Sequence, residues 1–153
     1  MVDTMASILD IPFQKEFTEE LIPNGEVVRL KTITAENHKS ERGVSSLHVV
    51  FQPIGFPKAP PLHEYYTLPV NPDKIERSNF DGDASYNEAL RNNNLSIRRF
   101  RQLFEALGME LRAVDLSNPK DNDLTQRECS AIVKIEDSKD AQYDAKNRIK
   151  QFA

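Results

Sequence analysis

Apolar and polar residues alternate along several stretches of this chain, and that alternation predicts half-buried β-strands. Residues 45–52 are the clearest example, because Leu47, Val49 and Phe51 would share one face of an extended strand. Alternation, or a high content of β-branched and aromatic residues, predicts four more strands. They cover residues 26–35, 63–68, 126–137 and 143–152.

One stretch, residues 96–107, has the spacing of an amphipathic helix. Its apolar stripe consists of Ile97, Phe100, Leu103, Phe104 and Leu107. Gly108 follows the stripe, where a left-handed residue commonly ends a helix. The predicted order of three strands, one helix and two strands is that of an OB-fold. We therefore predict a mainly β protein with a five-stranded Greek-key barrel and one helix between strands 3 and 4.

The remaining segments divide the chain into an arm, a domain and its loops. Residues 1–20 are acidic and partly apolar and are predicted to be an N-terminal arm, so that residues 21–153 form the OB-fold domain. OB-folds bind oligonucleotides across strands 2 and 3 and through the first and last hairpin loops. Those loops would be residues 36–44 and 137–145. Residues 71–94 are polar and are predicted to be a long loop.

Composition bears on the compartment and on the class of ligand. The chain has 153 residues, a net charge of −4 and a single cysteine, Cys129, so it forms no internal disulfide. It lacks the roughly 18 consecutive apolar residues that cross a bilayer and the residue order of a secretory signal. We therefore expect a cytoplasmic protein that does not bind membranes. Its acidity still permits a local basic groove, because salt screens charges beyond about 8 Å.

Cations are concentrated in the two predicted hairpins. The last strand would place Lys146, Arg148 and Lys150 on one face, close to Tyr143, and Lys134 belongs to the strand before it. The first hairpin carries Arg29, Lys31, Lys39 and Arg42. Because a polyanion is held by cations repeated along a groove, we predict that both hairpins bind a nucleic-acid backbone. Salt pairing with nearby acids and a solvated strand edge remain open alternatives.

Aromatic residues next to these cations are candidates for base stacking. Tyr65 and Tyr66 are adjacent in the third predicted strand, so one would face the core and the other would face outward. The pattern does not show which one is exposed. An exposed ring on a groove stacks a base with roughly 1–3 kcal/mol, independently of sequence.

Residues for metal or catalytic chemistry do not occur at a recognisable spacing. His38, His48, His63 and Cys129 lack the close pairs of a zinc site. The chain has neither a phosphate-binding loop nor a nucleophile elbow. We therefore expect a protein that is not an enzyme and that uses no metal or other cofactor.

Three segments together resemble a family of phage-encoded single-stranded-DNA-binding proteins with an OB-fold. They are the entry to the first strand at residues 21–27, the helix and its Ala-Leu-Gly end at residues 97–108, and the closing Asn-Arg-Ile-Lys segment within residues 146–152. The resemblance implies sequence-independent protection of single strands in phage DNA replication, recombination and repair, in the host cytoplasm. It implies single-stranded DNA as the ligand, replication or recombination proteins as further partners, and no cofactor.

Two other hypotheses remain open at this stage. One is a protein-interaction module, such as a virion or replisome adaptor, that does not bind nucleic acid. The other is an acidic inhibitor that imitates DNA and presents carboxylates where we place cations. The sequence leaves homo-oligomerisation open.

Overall fold

The computed structural model describes residues 19–137 and 145–153. The described part contains five strands and one long helix, together with short 3-10 turns at Pro72–Lys74 and Arg77–Asn79. The strands are β1 (Val27–Lys39), β2 (Ser45–Ile54), β3 (Leu62–Thr67), β4 (Glu128–Glu136) and β5 (Lys146–Phe152), and the helix α1 is Asp83–Ala106. Most of the predicted arm, and Tyr143, lie outside the described residues.

The five strands form one antiparallel sheet in the order β3-β2-β1-β4-β5. The prediction of a mainly β protein with five strands and one helix between the third and fourth is therefore confirmed. The described backbone pairings join β3 only to β2 and β5 only to β4, so the sheet is not closed into a continuous ladder. No helix in the described part of the chain is long and apolar enough to span a membrane.

Two sequence predictions were wrong about where elements begin and end. The first loop is shorter than residues 36–44, because β1 continues to Lys39 and pairs with the start of β2. Strand β4 pairs only with residues 27–31 of β1, and past that point the polar segment at residues 118–127 hydrogen-bonds to β1 in its place. Ala35 donates its N–H to Pro119 O, and Asn122 Nδ2 donates to Ala35 O. These contacts are distant in sequence, so strand periodicity alone does not reveal them.

The helix also begins well before the predicted start, at Asp83, so residues 83–94 are helical and not part of a long loop. Its first half lacks an apolar stripe, and its buried position there is Asn93. The Asn93 amide accepts a hydrogen bond from Val70 N at 2.9 Å and donates one to Val70 O at 2.8 Å. The early turns are therefore anchored by a polar contact that a search for apolar spacing misses.

The core lies between the inner face of the curved sheet and the second half of α1. Alternate residues of each strand point inward, as Val28 and Leu30 do in β1 and Val49 and Phe51 in β2. From α1, the stripe residues Phe100, Leu103 and Phe104 complete this core. The helix ends where the spacing predicted, with Gly108 at φ 74°.

The two outer strands of the sheet meet through a buried carboxylate. Glu64 of β3 faces the interior, and its side chain is 4% exposed. It accepts hydrogen bonds from Arg148 Nη2 at 2.7 Å, Arg148 Nε at 3.1 Å and Ile149 N at 2.6 Å, all from β5. A buried carboxylate is tolerated when it is paired and fully hydrogen-bonded. We call this contact the β3–β5 seam.

A buried amide holds the segment before β1 against the last strand. Asn147 Oδ1 accepts from Ile22 N at 2.9 Å, and Asn147 Nδ2 donates to Ile22 O at 3.0 Å. Both residues are buried, so water cannot replace these hydrogen bonds. The side chain of Asn147 thus substitutes for the backbone partner that a neighbouring strand would supply.

Replacing Asn147 with alanine is expected to lower the free energy of unfolding by about 2 kcal/mol, because two buried backbone groups of Ile22 lose their partner. Urea denaturation followed by circular dichroism measures this change. Asn94→Ala, at an exposed position of α1, is the control and should stay within about 0.5 kcal/mol of the parent protein. Equal midpoints for the two variants would contradict a structural role for the Asn147 amide.

Candidate nucleic-acid interface

The outer face of β1, β2 and β3 carries four aromatic side chains that the strand register brings together. His48 lies directly opposite Tyr65, and His38 lies opposite Ser46, two residues before His48. His63 is on the same face of β3 as Tyr65, two residues away, because alternate residues share a face. We call these four residues, His38, Tyr65, His48 and His63, the aromatic track.

The rings of the aromatic track contact one another closely. Tyr65 and His48 are stacked, with centroids 4.4 Å apart and an interplanar angle of 4°. His38 meets Tyr65 edge to face at 5.1 Å, and the centroids of His48 and His63 are 5.1 Å apart. Tyr65 remains 41% exposed although it sits in the middle of this group. Exposed rings held in place by their neighbours are suited to stacking a further planar group.

A chain of hydrogen bonds fixes two histidines of the aromatic track, His48 and His63. His48 Nδ1 lies 3.1 Å from Glu36 Oε1, and His48 Nε2 lies 2.9 Å from His63 Nδ1. Burial lowers the pKa of His63, and the nearby His48 and Lys146 lower it further. His63 is therefore mostly neutral at pH 7.

Of the two adjacent tyrosines, Tyr65 is exposed and Tyr66 is buried. Tyr66 points inward, is 4% exposed and packs against Phe100 with centroids 6.0 Å apart. The Arg99 guanidinium lies 4.9 Å from the centre of the Tyr66 ring, and burial strongly raises the pKa of its phenol. Tyr66 is thus a core residue whose ring does not lie on the outer face, and Tyr65 is the exposed member of the pair.

The three cations of β5 differ in their surroundings. Lys146 and Lys150 are exposed, and Lys146 lines a cleft with His63. Arg148 is 23% exposed and is bound to Glu64, with Glu136 3.5 Å from Nη1. Its charge is therefore largely neutralised within the protein. For Arg148 the salt-pairing alternative describes the structure better than a free phosphate contact does.

The remaining predicted cations lie at different places along the sheet. Lys39 and Arg42 are exposed at the β1–β2 turn, next to the His38 end of the aromatic track. Arg29 and Lys31 lie farther along the outer face of β1, where Arg29 is 3.5 Å from Glu128. Lys134 is on β4, 3.9 Å from Glu136.

The predicted cations therefore do not form one cluster. Lys39 and Arg42 flank one end of the aromatic track, and Lys146 flanks the other. Tyr143 falls among the residues that the structure does not describe.

Sequence reasoning treated the histidines as poor zinc candidates, and placed His38 in a loop, without recognising an aromatic surface. Within residues 19–137 and 145–153, no group of three or more His, Cys, Asp or Glu side chains is placed to hold a metal ion. Cys129 is buried, and burial raises its thiol pKa to about 11. The signal that was available is the spacing of His63 and Tyr65, which puts two planar side chains on the polar face of one strand.

No protein-family model matches this chain, and no curated protein matches it either.

Arg148→Ala is expected to destabilise the protein by about 3 kcal/mol, because it leaves the buried Glu64 carboxylate without its charged partner. Equilibrium denaturation in urea measures the loss. Lys150→Ala removes an exposed cation elsewhere on β5 and should leave stability within about 0.5 kcal/mol of the parent protein. If both variants unfold at the same denaturant concentration, the β3–β5 seam does not contribute as described.

Proposed function

We propose that this protein binds single-stranded DNA largely independently of sequence and has no enzymatic activity. The observation that carries the proposal is the aromatic track on the outer face of β1–β3, with exposed cations at both ends. Exposed stacking rings beside positive charges are the combination that unpaired polynucleotides require. Duplex DNA hides its bases inside the helix, so it gains much less from such a surface.

We further propose that the strands and α1 form an OB-fold barrel. The strand order, the helix between β3 and β4, and the approach of β3 to β5 through Glu64 all support this assignment. In an OB-fold the oligonucleotide crosses strands 2 and 3 beside the first and last hairpin loops. The aromatic track lies on β1, β2 and β3, with the β1–β2 turn at one end.

In the proposed mechanism, aromatic side chains stack on bases and cationic side chains contact phosphates. Tyr65 and His38 supply ring faces or edges for bases, and each stacked base would contribute roughly 1–3 kcal/mol. Lys39, Arg42 and Lys146 attract the phosphates, with a contribution that falls as salt rises. Because neither kind of contact reads the edges of bases, sequence preference should be weak.

The biological role follows from the family that the sequence resembles. Protection of single strands during phage DNA replication, recombination or repair in the host cytoplasm fits a protein with this surface. Replication or recombination proteins would then be its further partners.

A protein-interaction module is the second candidate, and one surface favours it. A groove of about 250 Å³ between α1 and the connection after it is lined by Leu47, Leu68, Phe104 and Leu111, among others. Leu68 and Leu111 are 40% and 46% exposed. Exposed apolar residues grouped in this way commonly mark protein contacts. A module of this kind would bind no oligonucleotide, so the experiments below separate the two candidates.

Binding to fluorescent oligo-dT should weaken steeply with salt. If Lys39, Arg42 and Lys146 neutralise about three phosphates, the log–log slope of affinity against salt should be about −2. Fluorescence anisotropy at several salt concentrations measures the slope, and the double variant Lys39→Ala/Lys146→Ala should reduce its magnitude by about 1.4. Duplex DNA of equal length is the control ligand and should bind more weakly. A shallow slope that the variant leaves unchanged would contradict the phosphate contacts.

Tyr65→Ala should weaken oligo-dT binding by about 5- to 150-fold, because a base loses its stacking partner. Tyr86→Ala, at a half-buried position on α1 away from the aromatic track, is the matched control and should bind like the parent protein. Both variants are to be compared at one salt concentration after circular dichroism has shown that they are folded. Equal affinities for the two variants would exclude base stacking on Tyr65.

A further inference from the structure

The hydrogen bonds of His48 and His63 determine which ring nitrogens carry the hydrogens of this pair. Glu36 accepts but cannot donate when ionised, so His48 Nδ1 must carry the hydrogen in their contact. One hydrogen lies between His48 Nε2 and His63 Nδ1, which are 2.9 Å apart. These two hydrogens are all that two neutral imidazoles possess. In the neutral pair, Nε2 of His63 therefore presents a lone pair.

Adding one proton to the pair changes His63 Nε2 from a hydrogen-bond acceptor to a donor. The Glu36 contact and the contact between the rings are already occupied by hydrogens, so the third hydrogen must lie on His63 Nε2. This holds whichever ring is assigned the positive charge. One proton thus converts His63 Nε2 from an acceptor, which repels a phosphate oxygen, into a donor within a positively charged pair, which binds it.

The His63 side chain lines a cleft that also contains a positive group, Lys146. The cleft has a volume of about 510 Å³ and is lined by His63, Lys146, Pro60, Pro61 and Glu19, among others. Among the described residues, none hydrogen-bonds Nε2 of His63. The cleft therefore has both the exposed Lys146 and the His63 imidazole in its lining, at the end of the aromatic track.

We propose that this cleft binds one phosphate group of a single-stranded polynucleotide and that the His48–His63 pair takes up one proton when the phosphate enters. The inference rests on the proposed function, which it deepens by naming a phosphate position and its proton dependence. Binding and protonation then strengthen each other reciprocally, as any two linked equilibria do.

Charged and titratable groups on the neighbouring elements act on the His48–His63 pair in opposite directions. Glu36 of β1 stabilises the added charge through His48, and Glu19 lies in the same cleft. Burial, His48 and Lys146 of β5 lower the pKa of His63 and so oppose protonation, while His38 and Tyr65 pack beside the pair. A bound phosphate would neutralise the repulsion from Lys146. The pKa of His63 should therefore rise on binding.

The affinity of the parent protein for oligo-dT should increase as the pH falls from 8 to 6 at constant ionic strength. Uptake of one proton gives at most a tenfold gain per pH unit. His63→Gln places an amide of similar reach there, which cannot be protonated, so its affinity should not increase between pH 8 and pH 6, whatever its affinity at pH 8. Anisotropy titrations of both proteins across this pH range measure the difference.

His38→Gln is the matched control, because His38 belongs to the aromatic track but not to the hydrogen-bonded pair. It should retain the pH dependence of the parent protein. NMR titration of the His63 ring should show a higher pKa with oligo-dT than without it. Binding that does not depend on pH, or an equal pH dependence in His63→Gln, would overturn the proton-linked site and leave the proposed function intact. No binding at any pH would overturn both.

Discussion

The hydrogen bonds of the buried Glu64 carboxylate determine which edges of the sheet meet. A charged group taken out of water is costly unless donors surround it, and here three N–H groups of β5 converge on the two carboxylate oxygens. Apolar contacts would tolerate several offsets between β3 and β5, whereas these bonds specify one. The seam therefore contributes specificity to the fold as well as stability, in keeping with the role that buried polar groups have in some proteins.

Strand β3 contributes to the β3–β5 seam with its inner face and to the aromatic track with its outer face. Because β3 alternates, the inward positions of Glu64 and Tyr66 force His63 and Tyr65 to point outward. The approach of β5 to β3 also brings Lys146 next to His63. A shift of β3 by one residue would bury the exposed rings and expose the carboxylate. The contact that organises the interior therefore also arranges the surface that we propose for DNA.

The strands, their order along the chain and the apolar half of α1 were predictable, because each depends on a short-range pattern such as the alternation of residues 45–52. The first half of α1 was not, since its buried anchor is the amide of Asn93. The aromatic track was also missed: the sequence shows that His63 and Tyr65 share a face, but it does not show that His48 lies opposite Tyr65. Likewise, the burial of Glu64 against Arg148 depends on a contact between residues 84 positions apart.

The Asn147–Ile22 contact has a consequence for how the domain is made. It joins residues 125 positions apart, and the β3–β5 seam likewise needs β5. A nascent chain emerging from the ribosome would thus lack both closures until β5 had been synthesised. Until then the edges of β3 and β4 that face β5 would remain unpaired, and strands with unpaired edges tend to associate with other chains. Completion of the fold is therefore expected to be a late, slow event that follows translation of β5.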